Sequence, residues 1–372
     1  MEPCVAHTIG SARDSVELIY VKPPAPGTVT RAALLSSHTL LPLFIWPTLH
    51  LAFEQFSKLM RINVAKRAPP GSASSEKKVS SSRYPFAVEL PDSATVDELK
   101  AAIAKQVSTL QPDRQRLTFG EKKDALELGN SLSTYGIKPD DTVYVKDLGP
   151  QIGWQTVFYI EYLGPIIFHF IVYNFQSVFY GQSFEHSDVQ RRVYLLIMAH
   201  FIKRELETAF VHRFSHGTMP LINVFKNSFH YHMLSGLNLA YWIYGPSTAH
   251  GTPLAAKLSS PFLLALLTGI FLFAELSNLS THITLRNLRP PGTRVRRIPY
   301  GYGFDLVSCP NYLFETLAWV AVSVMTRSLA SVLFLVVSTG QMYLWAVKKH
   351  KQYKREFPDY PKSRKAMVPF VL

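Results

Sequence analysis

A tyrosine, an asparagine and a proline stand together in Ser308-Cys309-Pro310-Asn311-Tyr312, where the chain enters a long apolar segment. A polar cluster at membrane depth is costly and marks a functional site by default. Asparagine as a cap and proline in a first turn are also ordinary helix-start chemistry. Upstream, Asn278, His282 and Arg286 recur every four residues and so line one face of a helix end. Arg289, Arg294, Arg296 and Arg297 follow in a Pro/Gly-containing connector. Arginine is the natural clamp for phosphate, so this density fits a phosphorylated ligand, either NADPH or the phosphates of coenzyme A. A plain cytosolic loop obeying the positive-inside rule is the competing reading. The Asn-His-Arg stripe running up to the connector favours the ligand.

Other chemistry is thinner. Glu205 and Glu207 lie in an apolar segment, where charges must pair or face a cavity. Lys203 and Glu207 are four apart and share a helix face. His212 and His216 form H-x-x-x-H, and His230 and His232 form H-x-H. Imidazole suits iron, but no H-x-x-H-H box is present and Pro220 interrupts the region, so satisfied histidines are expected and no metal. Gly301-Tyr302-Gly303 lacks the third glycine and the preceding strand of a dinucleotide fingerprint. The two cysteines, Cys4 and Cys309, exclude a disulfide framework and a cysteine-rich metal site.

These residues need elements to hold them. Residues 372 in number leave room for more than one domain, and the 47% apolar content is unevenly spread. Charged and small polar residues crowd 61–147, while apolar runs fill 152–347. Segments 152–175, 193–211, 228–244, 258–281, 313–325 and 329–347 have the length of membrane spans, 228–244 being the weakest. Thr326-Arg327-Ser328 separates the last two and predicts a helical hairpin. The formal charge of +13 sits largely in loops between apolar segments and in the tail from Lys348 to Arg355. That placement fits positive-inside topology with a cytosolic C-terminus, and it argues against nucleic acid as a partner. No cleavable signal peptide is evident, so insertion is expected to rest on internal segments.

The N-terminal part is less legible. Residues 32–53 are apolar but broken by Pro42 and Pro47, a poor span. Residues 68–82 read as a linker, and 1–83 as an extension or insertion. Residues 84–147 read as a small α/β domain: strand 86–90, a helix from Val96 behind a Thr95 cap, strand 116–119 and a final strand near Val143. This order resembles a ubiquitin-like fold, carried by T-V-D-E-L-K and Y-G-I-K-P-D-D-T-V-Y-V. Such a fold needs a first strand before Phe86, and the alternating segment 15–21 is the candidate for it.

Four motifs in one order carry a wider resemblance over about 84–372. They are E-L-E-T-A-F-V-H-R-F-S-H-G-T-M-P-L (205–221), N-L-S-T-H-I-T-L-R-N-L-R-P (278–290), L-V-S-C-P-N-Y-L-F-E (306–315) and W-A-V-K-K-H-K-Q-Y-K-R-E-F-P-D-Y-P (345–361). The chain resembles the very-long-chain trans-2-enoyl-CoA reductases of the steroid 5α-reductase-like membrane superfamily. The resemblance implies a mainly α fold: a polytopic helical bundle of six or seven spans over 148–372, with a ubiquitin-like domain in front. It implies NADPH-dependent reduction of a very-long-chain trans-2-enoyl-CoA to the saturated acyl-CoA, the last step of fatty-acid elongation, feeding sphingolipid and lipid synthesis. The implied setting is the endoplasmic reticulum membrane, among other elongation enzymes and membrane lipid. Tyr312 is then the acid that protonates the α-carbon, and Glu207 orients or tunes it. Asn278, His282, Arg286, Arg289, Arg297, Asn311, His350 and Tyr353 are the implied cofactor residues, with Tyr300 and Tyr302 as weaker alternatives for the acid. Rival readings are a steroid or polyprenol reductase of the same fold, a silent membrane scaffold that docks through its head, and an isoprenylcysteine-type methyltransferase.

Overall fold

The computed structural model describes residues 59–66, 84–120, 124–214, 217–290 and 296–370. They fall in two compact units that divide between Gly149 and Pro150.

The first unit is a four-stranded sheet with one helix. Strands β1 (Leu59–Lys66), β2 (Phe86–Pro91), β3 (Gln115–Phe119) and β4 (Thr142–Asp147) lie in the order β2-β1-β4-β3. β1 pairs antiparallel with β2 and parallel with β4, Ile62 facing Val88 and Val64 facing Val143. The helix α1 (Val96–Gln106) begins where Thr95 and Glu98 cap each other: the Glu98 N–H donates to Thr95 Oγ1 at 3.3 Å and the Thr95 N–H to Glu98 Oε2 at 2.7 Å. Its Val96, Leu99 and Ile103 stripe closes on Ile62, Val64, Leu117 and Val143.

The expected first strand needs correction. Segment 15–21 lies outside the described residues, and the place beside β2 is taken by Leu59–Lys66. Met60, Ile62 and Val64 point inward in strict alternation. Arg61 and Asn63 alternate with them and Lys66 ends the strand, which disguised the alternation inside a stretch read as extension.

The second unit is helical. Its long helices are α2 (Trp154–Asn174), α3 (Asp188–Phe210), α5 (Pro261–Asn287), α6 (Pro310–Thr326) and α7 (Leu329–Glu356). Between α3 and α5 runs α4 (222–243), which is α-helical over Ile222–Ser228, π-helical over Phe229–Asn238 and α-helical again over Leu239–Ile243. Three of these helices, α2, α5 and α7, are long and apolar enough to cross a membrane, so this is a membrane protein's bundle. Large apolar side chains such as Leu206, Phe262, Leu276 and Leu333 stay exposed, as a lipid-facing surface requires. Inside, Phe201, Phe271, Trp319 and Phe334 fill the space between α3, α5, α6 and α7.

α3 starts five residues before the apolar run beginning at 193, because Ser187 and Gln190 cap each other and carry the polar Asp188–Arg192 turn into the helix. α2 packs on α4 without a gap at Gly164: a Cβ there would lie 1.9 Å from the His232 ring. Strands β5 (Gln151–Gly153) and β6 (Thr218–Pro220) pair antiparallel and tie the start of α2 to the entry of α4.

Candidate active site

Three helices bring one stripe each to a common centre. From α3 come His200, Lys203, Arg204 and Glu207, at spacings of three, four and seven. α5 contributes Glu275, Asn278 and His282, and α6 contributes Asn311, Tyr312 and Glu315. Each charge is matched. Arg204 holds Glu207 at 2.6 Å and donates to the Tyr162 hydroxyl of α2 at 2.8 Å. Lys203 Nζ lies 2.8 Å from Glu275, 3.4 Å from Glu207 and 2.7 Å from Asn278 Oδ1. The His200 imidazole bridges Glu275 at 2.8 Å and Glu315 at 3.3 Å. His282 Nδ1 lies 3.1 Å from Glu207 Oε1 and 3.3 Å from Arg204. Asn278 donates to the Asn311 carbonyl at 2.9 Å and to Glu315 at 3.2 Å. Charges this deep persist only when paired, and here pairing locks α3, α5 and α6 in register.

The turn before α6 is clamped from the other side. The segment 306–309 runs parallel to Lys365-Ala366: Ser308 and Cys309 N–H groups donate to Lys365 and Ala366 at 2.9 and 3.1 Å, and Lys365 N–H returns to Leu306 at 3.1 Å. Ser308 Oγ meets His350 Nδ1 and the Tyr360 hydroxyl, both at 2.6 Å. Gly303 takes φ +74°, and a Cβ there would stand 2.7 Å from Pro310. Pro310 opens α6 at a position whose N–H would have no helical partner. Tyr312, 8% exposed, is thereby fixed beside Trp345 of α7 at 6.4 Å between ring centres.

Tyr312 lines a cavity of about 270 Å³, close to the low end of the roughly 300–1,000 Å³ usual for small-molecule sites. Among its lining residues are Phe158, His212, His282, Asn311, Tyr312 and Trp345. Much of the rest of the lining is basic: Arg213, Arg286, Arg289, Arg297, Lys348 and Lys349. Arg296 also lines it but is held by Glu356 at 3.0 Å. Arg213 donates to the carbonyls of Arg286 and Arg289, which folds the end of α5 toward the end of α3. The Arg289 Nε is buried and has no hydrogen-bond partner among the described residues. A buried unsatisfied guanidinium donor in a basic wall fits a phosphate ligand, so the donor set suits a dinucleotide phosphate.

Residues 217–372 match the 3-oxo-5-alpha-steroid 4-dehydrogenase family, and residues 78–146 the ubiquitin family. A Schizosaccharomyces pombe protein assigned by its name to the enoyl reductases is 47% identical over 291 residues, covering 78% of this chain and 96% of its own. The very-long-chain enoyl-CoA reductase of Dictyostelium discoideum is 40% identical over 288 residues, covering 75% and 93%. The chain belongs to the very-long-chain enoyl-CoA reductase family.

In this enoyl-CoA reductase family member, the expected site residues divide. His282, Arg286, Arg289, Arg297, Asn311, Tyr312 and Tyr353 all border the cavity. Glu207 stands behind the wall and reaches it through His282. Asn278 is likewise behind the wall, spent on Asn311 and Glu315. His350 is outside the lining and is engaged by Ser308, so it positions the turn rather than facing the cavity. Tyr300 lies under the Arg364 guanidinium at 4.7 Å, and Tyr302 bonds Ser277 at 2.7 Å; both are more than half-exposed and outside the lining. Arg294 and His216 lie outside the described residues.

Among the described residues, His230 and His232 do not gather into one site. His230 packs on Phe334 and His232 meets the Ile160 carbonyl at 2.8 Å. His212 does approach Glu207 and His282, their donor atoms lying within 4.8 Å of one another. A dication there would face Arg204 and Lys203 on the same carboxylate.

Sequence reasoning missed His200, Arg204, Glu275, Glu315 and Tyr162 as parts of the centre. A signal was present: His200, Lys203, Arg204 and Glu207 share one face of α3, and Glu275, Asn278 and His282 one face of α5.

Proposed function

We propose that the chain reduces the trans-2 double bond of a very-long-chain enoyl-CoA with NADPH, giving the saturated acyl-CoA at the last step of fatty-acid elongation. The observation that carries this reading is a buried tyrosine, Tyr312, lining a cavity that seven cationic side chains also line. When bound, the reduced nicotinamide supplies a hydride for the β-carbon. Addition there drives the π electrons of the C=C bond onto the thioester oxygen. The Tyr312 O–H then gives its proton to the α-carbon, the carbonyl re-forms, and the phenolate recovers a proton from solvent. Arg286, Arg289 and Arg297 hold dinucleotide phosphate. Glu207 and Arg204 fix His282 in the wall.

The six helices α2 to α7 each span the membrane in this reading. The arginine connector after α5 and the lysines ending α7 border one cavity, so they share a membrane face. The positive-inside rule supports a cytosolic face there, with the C-terminus, and this reading puts the enzyme in the endoplasmic reticulum membrane beside other elongation enzymes. The ubiquitin-like unit serves docking or stability in this scheme, because every residue assigned here lies beyond 150. The silent-scaffold alternative does not account for Glu207 and Glu275, buried and held in register behind a basic cavity lining.

Protein purified in membranes and given NADPH with long and very-long enoyl-CoA substrates should oxidise one NADPH per saturated acyl-CoA formed. No saturated product at any chain length would overturn the proposal. Replacing Arg289 or Arg297 with alanine should weaken NADPH binding about 10- to 100-fold, a charge-assisted hydrogen bond contributing roughly 1.5–3 kcal/mol. The loss should shrink as salt rises for the exposed Arg297. NADH should lose less if the side chain holds the 2′-phosphate. Equal losses would assign it to the pyrophosphate, and no loss for either cofactor would remove it from the site.

A further inference from the structure

His212 is a histidine that the scheme above leaves without a task. It follows α3 directly, and its backbone N–H closes on the Glu207 carbonyl at 2.7 Å. The ring is gripped by three others, Phe158 at 6.3 Å, Phe214 at 6.2 Å and His282 at 5.1 Å between centres. That aromatic grip fixes its orientation without using either nitrogen. Among the described residues neither ring nitrogen has a hydrogen-bond partner. The fully buried imidazoles behave differently: His169 meets Tyr244 and Ser235, His200 meets Glu275, and His282 meets Glu207. An imidazole kept rigid and unpaired on a cavity wall is available to whatever enters that cavity.

The wall it shares decides what that is. His212 and Tyr312 both line this cavity, which the cations also line. Phosphate is matched by the cations. What remains to be met is a neutral carbonyl oxygen on which charge grows as the double bond is reduced. A fixed N–H donor aimed at such an oxygen stabilises the transition state more than the ground state.

Resting on the proposed function, we propose that His212 is a catalytic residue that donates a ring N–H to the thioester carbonyl oxygen of the enoyl-CoA. Its proton stays on the ring throughout. The π pair of the C=C bond moves onto the thioester oxygen as the β-carbon gains its hydride, the His212 hydrogen bond shortens, and the Tyr312 proton goes to the α-carbon as the C=O bond returns. The nicotinamide carboxamide also offers a carbonyl oxygen, whereas a divalent cation on Glu207, His212 and His282 would have to displace Arg204 and Lys203 from the carboxylate.

The test compares His212→Ala and His212→Gln with wild type, full-length and in membranes. Turnover should fall about 10²–10³-fold in the alanine variant, the usual cost of one oxyanion donor. Glutamine, which retains an N–H, should recover part of it. NADPH affinity should be unchanged in both. Saturated acyl-CoA should bind the alanine variant more weakly, whereas a thioether analogue with CH₂ in place of the carbonyl should bind wild type and variant alike. Wild-type turnover in His212→Ala would overturn the assignment, as would equal losses for acyl-CoA and thioether. A fall in NADPH affinity with acyl-CoA binding intact would transfer His212 to the carboxamide. Zinc inhibition of wild type that His212→Ala removes, with its turnover otherwise intact, would make it a metal ligand. Wild-type protein that reduces no enoyl-CoA would remove the proposed function itself, a result separate from failure of the His212 variants alone.

Discussion

Tyr312→Phe is expected to leave the protein folded and to lower turnover about 10²–10⁴-fold, the usual loss of a positioned general acid. The substitution removes one oxygen and keeps the ring. The ring is what packs: it belongs to a small cluster with Cys309, Met342, Ala346 and Met367 and touches Trp345. Phenylalanine fills the same volume, so the stability change should be small beside the catalytic one. Both kcat and kcat/KM should fall together, because the proton is needed in the transition state and not for binding. NADPH and acyl-CoA affinities should stay near wild type. Thermal unfolding and single-turnover reduction, measured on the same preparation, check the two halves of this expectation. A phenylalanine variant that turns over like wild type would sink the assignment of Tyr312 as the acid.

Tyr312 was legible because local signals converge on it. Pro310 and Asn311 announce a helix start, the apolar run after them announces the bundle, and a polar cluster at that boundary is costly enough to need a reason. The arginine connector was legible for a similar local reason. What the sequence hides is pairing. His200, Lys203, Arg204 and Glu207 visibly share a face, but only the fold shows that Glu275 and Glu315 arrive from α5 and α6 to meet them. His350 shows the converse. It stands in a motif among cationic neighbours, yet the C-terminal return brings Ser308 within 2.6 Å and engages its ring in the turn. Helix limits failed where capping carries polar residues inward, as at Ser187, and β1 was missed because outward Arg61 and Asn63 mask an inward apolar triplet. For the buried centre and for His350 the deciding partner is distant in sequence.

Glu207 carries the second large effect, and it acts on stability as well as rate. Its Oε2 lies 2.6 Å from Arg204, and its Oε1 lies 3.1 Å from His282 and 3.4 Å from Lys203, with the residue 1% exposed. Glu207→Gln removes the charge and leaves the buried Arg204 guanidinium facing a neutral amide. Breaking one side of a buried pair costs roughly 3–5 kcal/mol, so the variant should unfold at a clearly lower temperature. Turnover should also fall further than KM rises, because His282 loses the carboxylate that sets its place in the wall. The two effects separate in the paired variant. Arg204→Met with Glu207→Leu removes both charges and should restore most of the stability, since a buried ion pair can be replaced by packed apolar groups at little cost. It should not restore turnover, because His282 still lacks both partners. Glu205→Gln is the control: Glu205 is half-buried on another face of α3 and should change either property far less. Glu207→Gln with wild-type melting and wild-type kcat would contradict this account, and a larger loss at Glu205 would shift the functional face of α3 by half a turn.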